Sequence, residues 1–223
     1  MNSKLSASIM CADPLNMQRD LQLLKDQGVD YLHCDVMDGH FVPNLMLGTE
    51  LIRAVKALNI LPLDIHLMVE KPENMIPWFQ MGKGDIISIH YEATPHVQRA
   101  LAMIRERGAS PALVLNPATP LECARDVLAD IDMLLIMTVN PGYAGQRLVA
   151  QALDKVSRAR RLLDESGFSH IPIEVDGNCS FSNLPIMQRS GASIFVVGSS
   201  SVFDPKLGVV EGVRIARNCL KTE

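Results

Sequence analysis

His33 and Asp35 stand two residues apart near the end of an apolar run from Val29 to Val36. In a β-strand alternate side chains share a face, so this imidazole and this carboxylate would project from the same side. Burying such a pair is costly unless the two bind each other or a metal ion. Gly39 then turns the chain out of the strand. A second histidine, His66, lies in the apolar run Leu63-Asp64-Ile65-His66-Leu67-Met68, and Asp176 ends Ile173-Glu174-Val175-Asp176 just before Gly177. Two histidines and two aspartates suit one divalent ion, Zn²⁺ first, with Mn²⁺, Fe²⁺ or Co²⁺ as alternatives. Two carboxylates on different strands, Asp35 and Asp176, can also flank a planar substrate. One would take a proton from a carbon beside a carbonyl, the other would return it on the far face, and the ion would stabilise the enediolate between those steps. The product of such a sequence is an epimer.

Each candidate also has a plainer reading. A strand-end histidine is ordinarily a hydrogen-bonded core residue, and the case for a metal rests on four groups arriving from three strands. Glu174 is read as facing the helices, in a surface or helix-pairing role. His90 and Glu92, at another strand end, are read as supporting groups rather than ligands. Asp38 and His40 are read as turn caps, and Cys34 as packing on the face opposite His33 and Asp35. A second constellation is Asn140-Pro141-Gly142-Tyr143-Ala144-Gly145-Gln146. Its glycines let backbone N–H groups approach an anion, and a helix starting there would add its positive dipole. Gly177 and the pair Gly198-Ser199 add donors after two further strands.

The elements that would carry these groups repeat. Strands are predicted at Lys4–Met10, Tyr31–Val36, Leu61–Val69, Asp85–His90, Ala112–Leu115, Ile131–Met137, Ile171–Val175 and Ser193–Val197. Helices are predicted at Pro14–Gln27, Leu47–Leu58, from near Pro72, and at Thr94–Gly108, Pro120–Ala129, Arg147–Ser166, Ser182–Ser190 and Leu207–Leu220. Eight alternations of short apolar strand and helix predict an α/β fold, a single (β/α)8 barrel domain over residues 1–223, with its site at the C-terminal ends of the strands. A doubly wound open sheet would want a glycine-rich fingerprint in its first βα turn, and none is present.

The 223 residues are 48% hydrophobic and 21% charged, with a net charge of −4 and a pI near 5.9. This is no electrostatic footprint for nucleic acid or an anionic membrane surface. The apolar runs are too short to span a bilayer, and the first residues lack the apolar core of a signal peptide. Five cysteines without paired spacing read as free thiols in a reducing compartment, which places the protein in the cytoplasm.

At these motifs the sequence resembles the ribulose-phosphate 3-epimerase family. The resemblance covers Ala7-Ser8-Ile9-Met10, His33 through Asn44, Leu63 through Met68, Leu115 through Pro120, Met137 through Gly142, Glu174 through Gly177 and Val197 through Ser199. It implies a ribulose-phosphate-binding type of barrel, with Asp35 and Asp176 as the acid/base pair and His33, Asp35, His66 and Asp176 as ligands of one divalent ion per subunit. Ser8 and His66 would touch substrate, Met37, Met68 and Met137 would pack around it, and Gly142, Tyr143, Ala144, Gly145, Gly177, Asn178, Gly198 and Ser199 would hold its phosphate. The partner would be a small ketose phosphate, and the protein is expected to be a homo-oligomer.

Three departures set the chain apart from the usual ribulose-phosphate pattern: Cys11 in place of serine, Ala144 in place of glycine, and Asn178-Cys179 after Gly177. All three look more like the D-allulose-6-phosphate 3-epimerase branch, which directs the expected substrate to D-allulose 6-phosphate, with D-fructose 6-phosphate as product. Asn140-Pro141 and Ser199 follow the ribulose pattern, and the alternative is conversion of D-ribulose 5-phosphate to D-xylulose 5-phosphate. The decarboxylase and hexulose-phosphate synthase barrels want a lysine where Met37 stands. A non-catalytic sugar-phosphate-binding barrel would have no use for two acids and two histidines at one point.

Overall fold

Continuous aliphatic runs become parallel strands here because both faces of each are buried, one against helices and one inside a barrel. The structure is a computed structural model that describes residues 2–221. Met1, Thr222 and Glu223, which the expected 1–223 span includes, lie outside the described residues. Eight strands form the barrel: β1 Lys4–Ser8, β2 Tyr31–Asp38, β3 Leu63–Met68 and β4 Ile86–His90, then β5 Ser110–Leu115, β6 Met133–Met137, β7 Ile173–Asp176 and β8 Ile194–Val197. Each pairs in parallel with its neighbours in chain order, and β1 pairs with both β8 and β2, which closes the barrel. A two-residue strand, Leu45–Met46, adds antiparallel to the end of β2.

Among the described residues six α-helices follow strands of the barrel: α1 Met17–Asp26, α2 Thr49–Ala57, α3 Val97–Glu106, α4 Ala150–Glu165, α5 Leu184–Arg189 and α6 Val209–Cys219. The helix expected near Pro72 is instead two short 3-10 turns, Pro72–Asn74 and Ile76–Trp78. Pro77 lies within the second turn and has no N–H to extend an α-helical ladder. Residues Leu121–Asp130 also form 3-10 turns.

The two faces of the barrel wall differ. Residues such as Leu5, Cys34, Ile65, Ile87, Leu113 and Val175 pack outward against the helices in one continuous core, so Cys34 is packing as expected. Inward-facing residues stack in layers, as in barrels of this kind. Tyr31, Ile86, Ala112, Met133 and Ile194 form an apolar plug at the N-terminal end. Above it the strand registers bring polar side chains level: Ser8 pairs with His33, His33 with Asp64, and Asp35 with His66. Among the described residues no helix is long and apolar enough to cross a membrane.

Candidate active site

The four expected ligands meet at the C-terminal end of the barrel. His33 Nε2 lies 3.3 Å from Asp35 Oδ1 and 3.8 Å from Asp176 Oδ2. His66 Nδ1 lies 3.6 Å from Asp35 Oδ1 and 3.4 Å from Asp176 Oδ2. All four groups offer ligand atoms within 4.8 Å of one another. Donor atoms bound tetrahedrally to one zinc at roughly 2.0–2.1 Å would stand about 3.3 Å apart, so the spacing suits a single ion. Both histidine nitrogens are buried with no hydrogen-bond partner. Orphaned buried polar atoms are rare in folded proteins, and two of them aimed at two carboxylates fit a bound divalent cation.

The other nitrogen of each imidazole is occupied. Asp64 Oδ2 lies 2.7 Å from His33 Nδ1 and accepts its hydrogen, so Nε2 is the nitrogen left to face a metal ion. Asp64 also accepts from Ser6 Oγ at 2.7 Å. His66 Nε2 faces His90 Nε2 at 2.9 Å, and His90 Nδ1 faces Glu92 Oε2 at 3.3 Å. Sequence reasoning missed Asp64. Its position two residues before His66, on the same strand face, was the available clue.

Charge in this layer is balanced by the carboxylates. Burial opposes the imidazolium form of His33, yet Asp64 and Asp35 outweigh it and hold its pKa well above 6.5. Burial likewise opposes ionisation of Asp35, but His33 and His66 hold it below the ordinary carboxylate range. Burial pushes His90 down to about 4, so it is a neutral imidazole. Glu92 is lowered to about 2: burial works against this, and hydrogen bonds from His90, Thr119 and Asn116 prevail.

Glu174 requires a correction. It faces the barrel interior rather than the helices, is fully buried, and has two carboxyl oxygens without partners. Residues two apart in a strand share a face, so Glu174 points the same way as Asp176, one layer deeper. Burial and the nearby charge of Asp64 raise its pKa well above 4.5. Both causes favour its neutral form, beneath the proposed ligands. Asp38 and His40 behave as expected: Asp38 Oδ1 accepts from the backbone N–H groups of His40 and Phe41, and Oδ2 from that of Glu70.

Above the four ligands lies a cleft, open at its mouth, whose lining includes Asp35, Asp176 and Ser8. Ser8 Oγ donates to Asp35 Oδ2 at 2.6 Å. Met37, Met68 and Met137 also line the cleft and give that part of the wall an apolar surface. Gly142, Tyr143, Ala144 and Gly145 line one side, with Gly177, Asn178, Gly198 and Ser199 beside them. His33 and His66 lie beneath the floor, fully buried. Gly177 takes φ +119°, and a Cβ there would come within 2.5 Å of Val139 Cγ2, so this turn requires glycine. Helix α4 starts at Ala150 rather than Arg147, past the 142–145 loop, so its dipole does not reach the loop amides.

The glycine loop is braced from three sides. Asn44 Nδ2 donates to the Gly142 carbonyl at 2.9 Å, and Gln146 Nε2 donates to the carbonyls of Asn140 and Tyr143. Asn178, in the left-handed region at φ +49°, donates through Nδ2 to the Gln146 carbonyl at 2.7 Å. Its side-chain amide is therefore committed to a protein partner. Cys11, also on the cleft wall, lies 3.4 Å from where a Cβ on Gly198 would sit.

The model of the ribulose-phosphate 3 epimerase family matches residues 4–203. The chain belongs to the ribulose-phosphate 3-epimerase family. The ribulose-phosphate 3-epimerase of Bacillus subtilis is 41% identical over 197 residues, which are 88% of this chain and 91% of that protein. That of Escherichia coli K12 is 41% identical over 201 residues, 90% of this chain and 88% of the other. Among solved structures, 3-hexulose-6-phosphate synthase from Salmonella typhimurium superposes with a TM-score of 0.70 at 16% identity, covering 97% of this chain and 98% of that one. At that identity the likeness shows the fold of this ribulose-phosphate 3-epimerase family member, the closed eight-stranded barrel.

Proposed function

We propose that this family member catalyses metal-dependent epimerisation at carbon 3 of a ketose phosphate. The observation that carries the reading is the pair Asp35 and Asp176, each within 4 Å of the same two orphaned histidine nitrogens at the floor of the cleft. The pair comes from β2 and β7, with β1 and β8 between them in the barrel wall. One carboxylate removes the proton from carbon 3, beside the carbon 2 carbonyl, and the electron pair moves to the carbonyl oxygen to give an enediolate. The other carboxyl, approaching from the far face, delivers a proton to carbon 3 as the carbonyl re-forms. Positioned transfers of this kind contribute about 10²–10⁴-fold each. A divalent ion held by His33, Asp35, His66 and Asp176 supplies Lewis-acid stabilisation of the negative charge that develops on the substrate oxygens. Ser8 orients Asp35, and the three methionines keep water from the reacting carbon.

Backbone amides around Gly142–Gly145, Gly177–Asn178 and Gly198–Ser199 hold the phosphate, since among the described residues no basic side chain lines the cleft. For the substrate we place D-allulose 6-phosphate first, on Cys11, Ala144 and Asn178-Cys179. D-Ribulose 5-phosphate is the second reading, favoured by the names of relatives 41% identical to this chain. Initial rates on both sugars, measured side by side, decide between them. If neither sugar turns over with Zn²⁺, Mn²⁺, Fe²⁺ or Co²⁺ supplied, the reading fails. Zn²⁺ is the ion we place first for this nitrogen-and-carboxylate set. The five free cysteines fit a reducing compartment, and a cytoplasmic homo-oligomer is part of the same proposal.

A further inference from the structure

We infer that Glu92 acts through His90 to select the tautomer of His66, and so keeps the lone pair of His66 Nδ1 aimed at the carboxylates of Asp35 and Asp176. The inference rests on His66 being a metal ligand and is independent of which sugar is the substrate.

Two imidazole nitrogens 2.9 Å apart, His66 Nε2 and His90 Nε2, share one hydrogen. If His66, in the neutral form that ligation requires, carries it, His66 Nδ1 is bare and the neutral His90 must carry its own hydrogen on Nδ1. If His90 carries it, His66 is protonated on Nδ1 and cannot ligate, while His90 Nδ1 is a bare acceptor. What faces His90 Nδ1 therefore decides the matter two rings away. That group is Glu92 Oε2, at 3.3 Å. An ionised carboxylate only accepts, so it requires a hydrogen on His90 Nδ1, which forces the first arrangement.

Glu92 is itself held for this task. Its Oε1 accepts from the backbone N–H of Asn116 at 3.0 Å and from the hydroxyl of Thr119. The buried ammonium of Lys155 donates to the carbonyls of Asn116 (2.5 Å) and Thr119 (2.6 Å), which fixes the turn that carries these donors. A backbone N–H cannot reverse its polarity. In a Glu92→Gln variant the amide oxygen must therefore stay on Asn116, and the amide NH₂ turns toward His90. An NH₂ donor there wants a bare His90 Nδ1 and drives the relay into the second arrangement. Glu92→Ala leaves the place to water, which serves either tautomer. The isosteric change should thus be the more damaging one, the reverse of what packing alone would give.

The test is Zn²⁺ affinity of the full chain, freed of metal and titrated against a chromophoric chelator, for wild type, Glu92→Ala and Glu92→Gln. Outer partners of ligating histidines are worth about 10–100-fold in metal affinity. We expect Glu92→Gln to weaken Zn²⁺ binding at least about 10-fold and Glu92→Ala by less. Nitrogen-15 NMR of the metal-free proteins should show His90 protonated on Nδ1 in wild type and on Nε2 in Glu92→Gln. Glu92→Gln binding Zn²⁺ within twofold of wild type, or more tightly than Glu92→Ala, would overturn the inference. So would an unchanged His90 tautomer. If wild type itself fails to bind Zn²⁺, the metal reading falls, and the His90 nitrogens still decide whether Glu92 sets the tautomer.

Discussion

His33 donates its Nδ1 hydrogen to Asp64 Oδ2 across 2.7 Å, from adjacent strands and one layer below the cleft floor. The contact turns His33 Nε2 toward Asp35 and Asp176 and makes Asp64 a support of the proposed metal site rather than one of its four proposed ligands.

Asp64→Asn should therefore weaken metal binding while leaving the four ligands in place. An asparagine can present its NH₂ to His33 Nδ1 and favour the tautomer with hydrogen on Nε2. The expected loss is about 10–100-fold in Zn²⁺ affinity, read by chelator competition. An affinity equal to wild type would show that Asp64 only fills space.

Glu174 gives a prediction about pH and stability. Its folded pKa is raised above the unfolded value of 4.5, so its contribution is fully present below pH 4.5 and is lost as pH rises toward the folded value. Glutamine mimics the neutral carboxyl at every pH. Metal-free Glu174→Gln should match wild type in urea unfolding at pH 4 and exceed it at pH 8 by about 1.4 kcal/mol or more, the equivalent of one pK unit. An advantage that stays flat between pH 4 and 8 would mean that Glu174 is ionised in the folded barrel.

Asn178 ties the loop after β7 to the loop after β6 through the Gln146 carbonyl. Asn178→Gly keeps the left-handed conformation but removes this bond, and a hydrogen bond of this kind is worth about 1 kcal/mol. The KM for the sugar phosphate should rise about fivefold with kcat little changed, because the brace acts on the phosphate end. A fall in kcat at constant KM would place Asn178 at the chemistry instead.

Much of this site is legible because a strand has a period of two. His33 with Asp35, and Asp176 before Gly177, stand out by spacing and by the glycine that ends each strand. The same rule, applied to Asp64 with His66 and to Glu174 with Asp176, places both acids inside the barrel. Reading Glu174 on the opposite face goes against that rule. The Asn178–Gln146 and Lys155–Asn116 bonds are not legible, since they join residues 32 and 39 apart that only barrel closure brings together. The helix expected at Pro72 fails locally, where Pro77 interrupts the run.

Each aspartate is assigned a separate proton. Asp35→Asn and Asp176→Asn should each lower kcat by about 10³-fold or more while circular dichroism shows the fold retained. A variant with near-normal turnover would remove that residue from the acid/base pair.

The central claim is that a proton leaves carbon 3 and another arrives from a group in contact with solvent. Running the reaction in deuterated water and locating deuterium in the product by NMR tests this most directly. The account predicts one deuterium at carbon 3 of each product molecule. Product formed with protium retained at carbon 3 would contradict it.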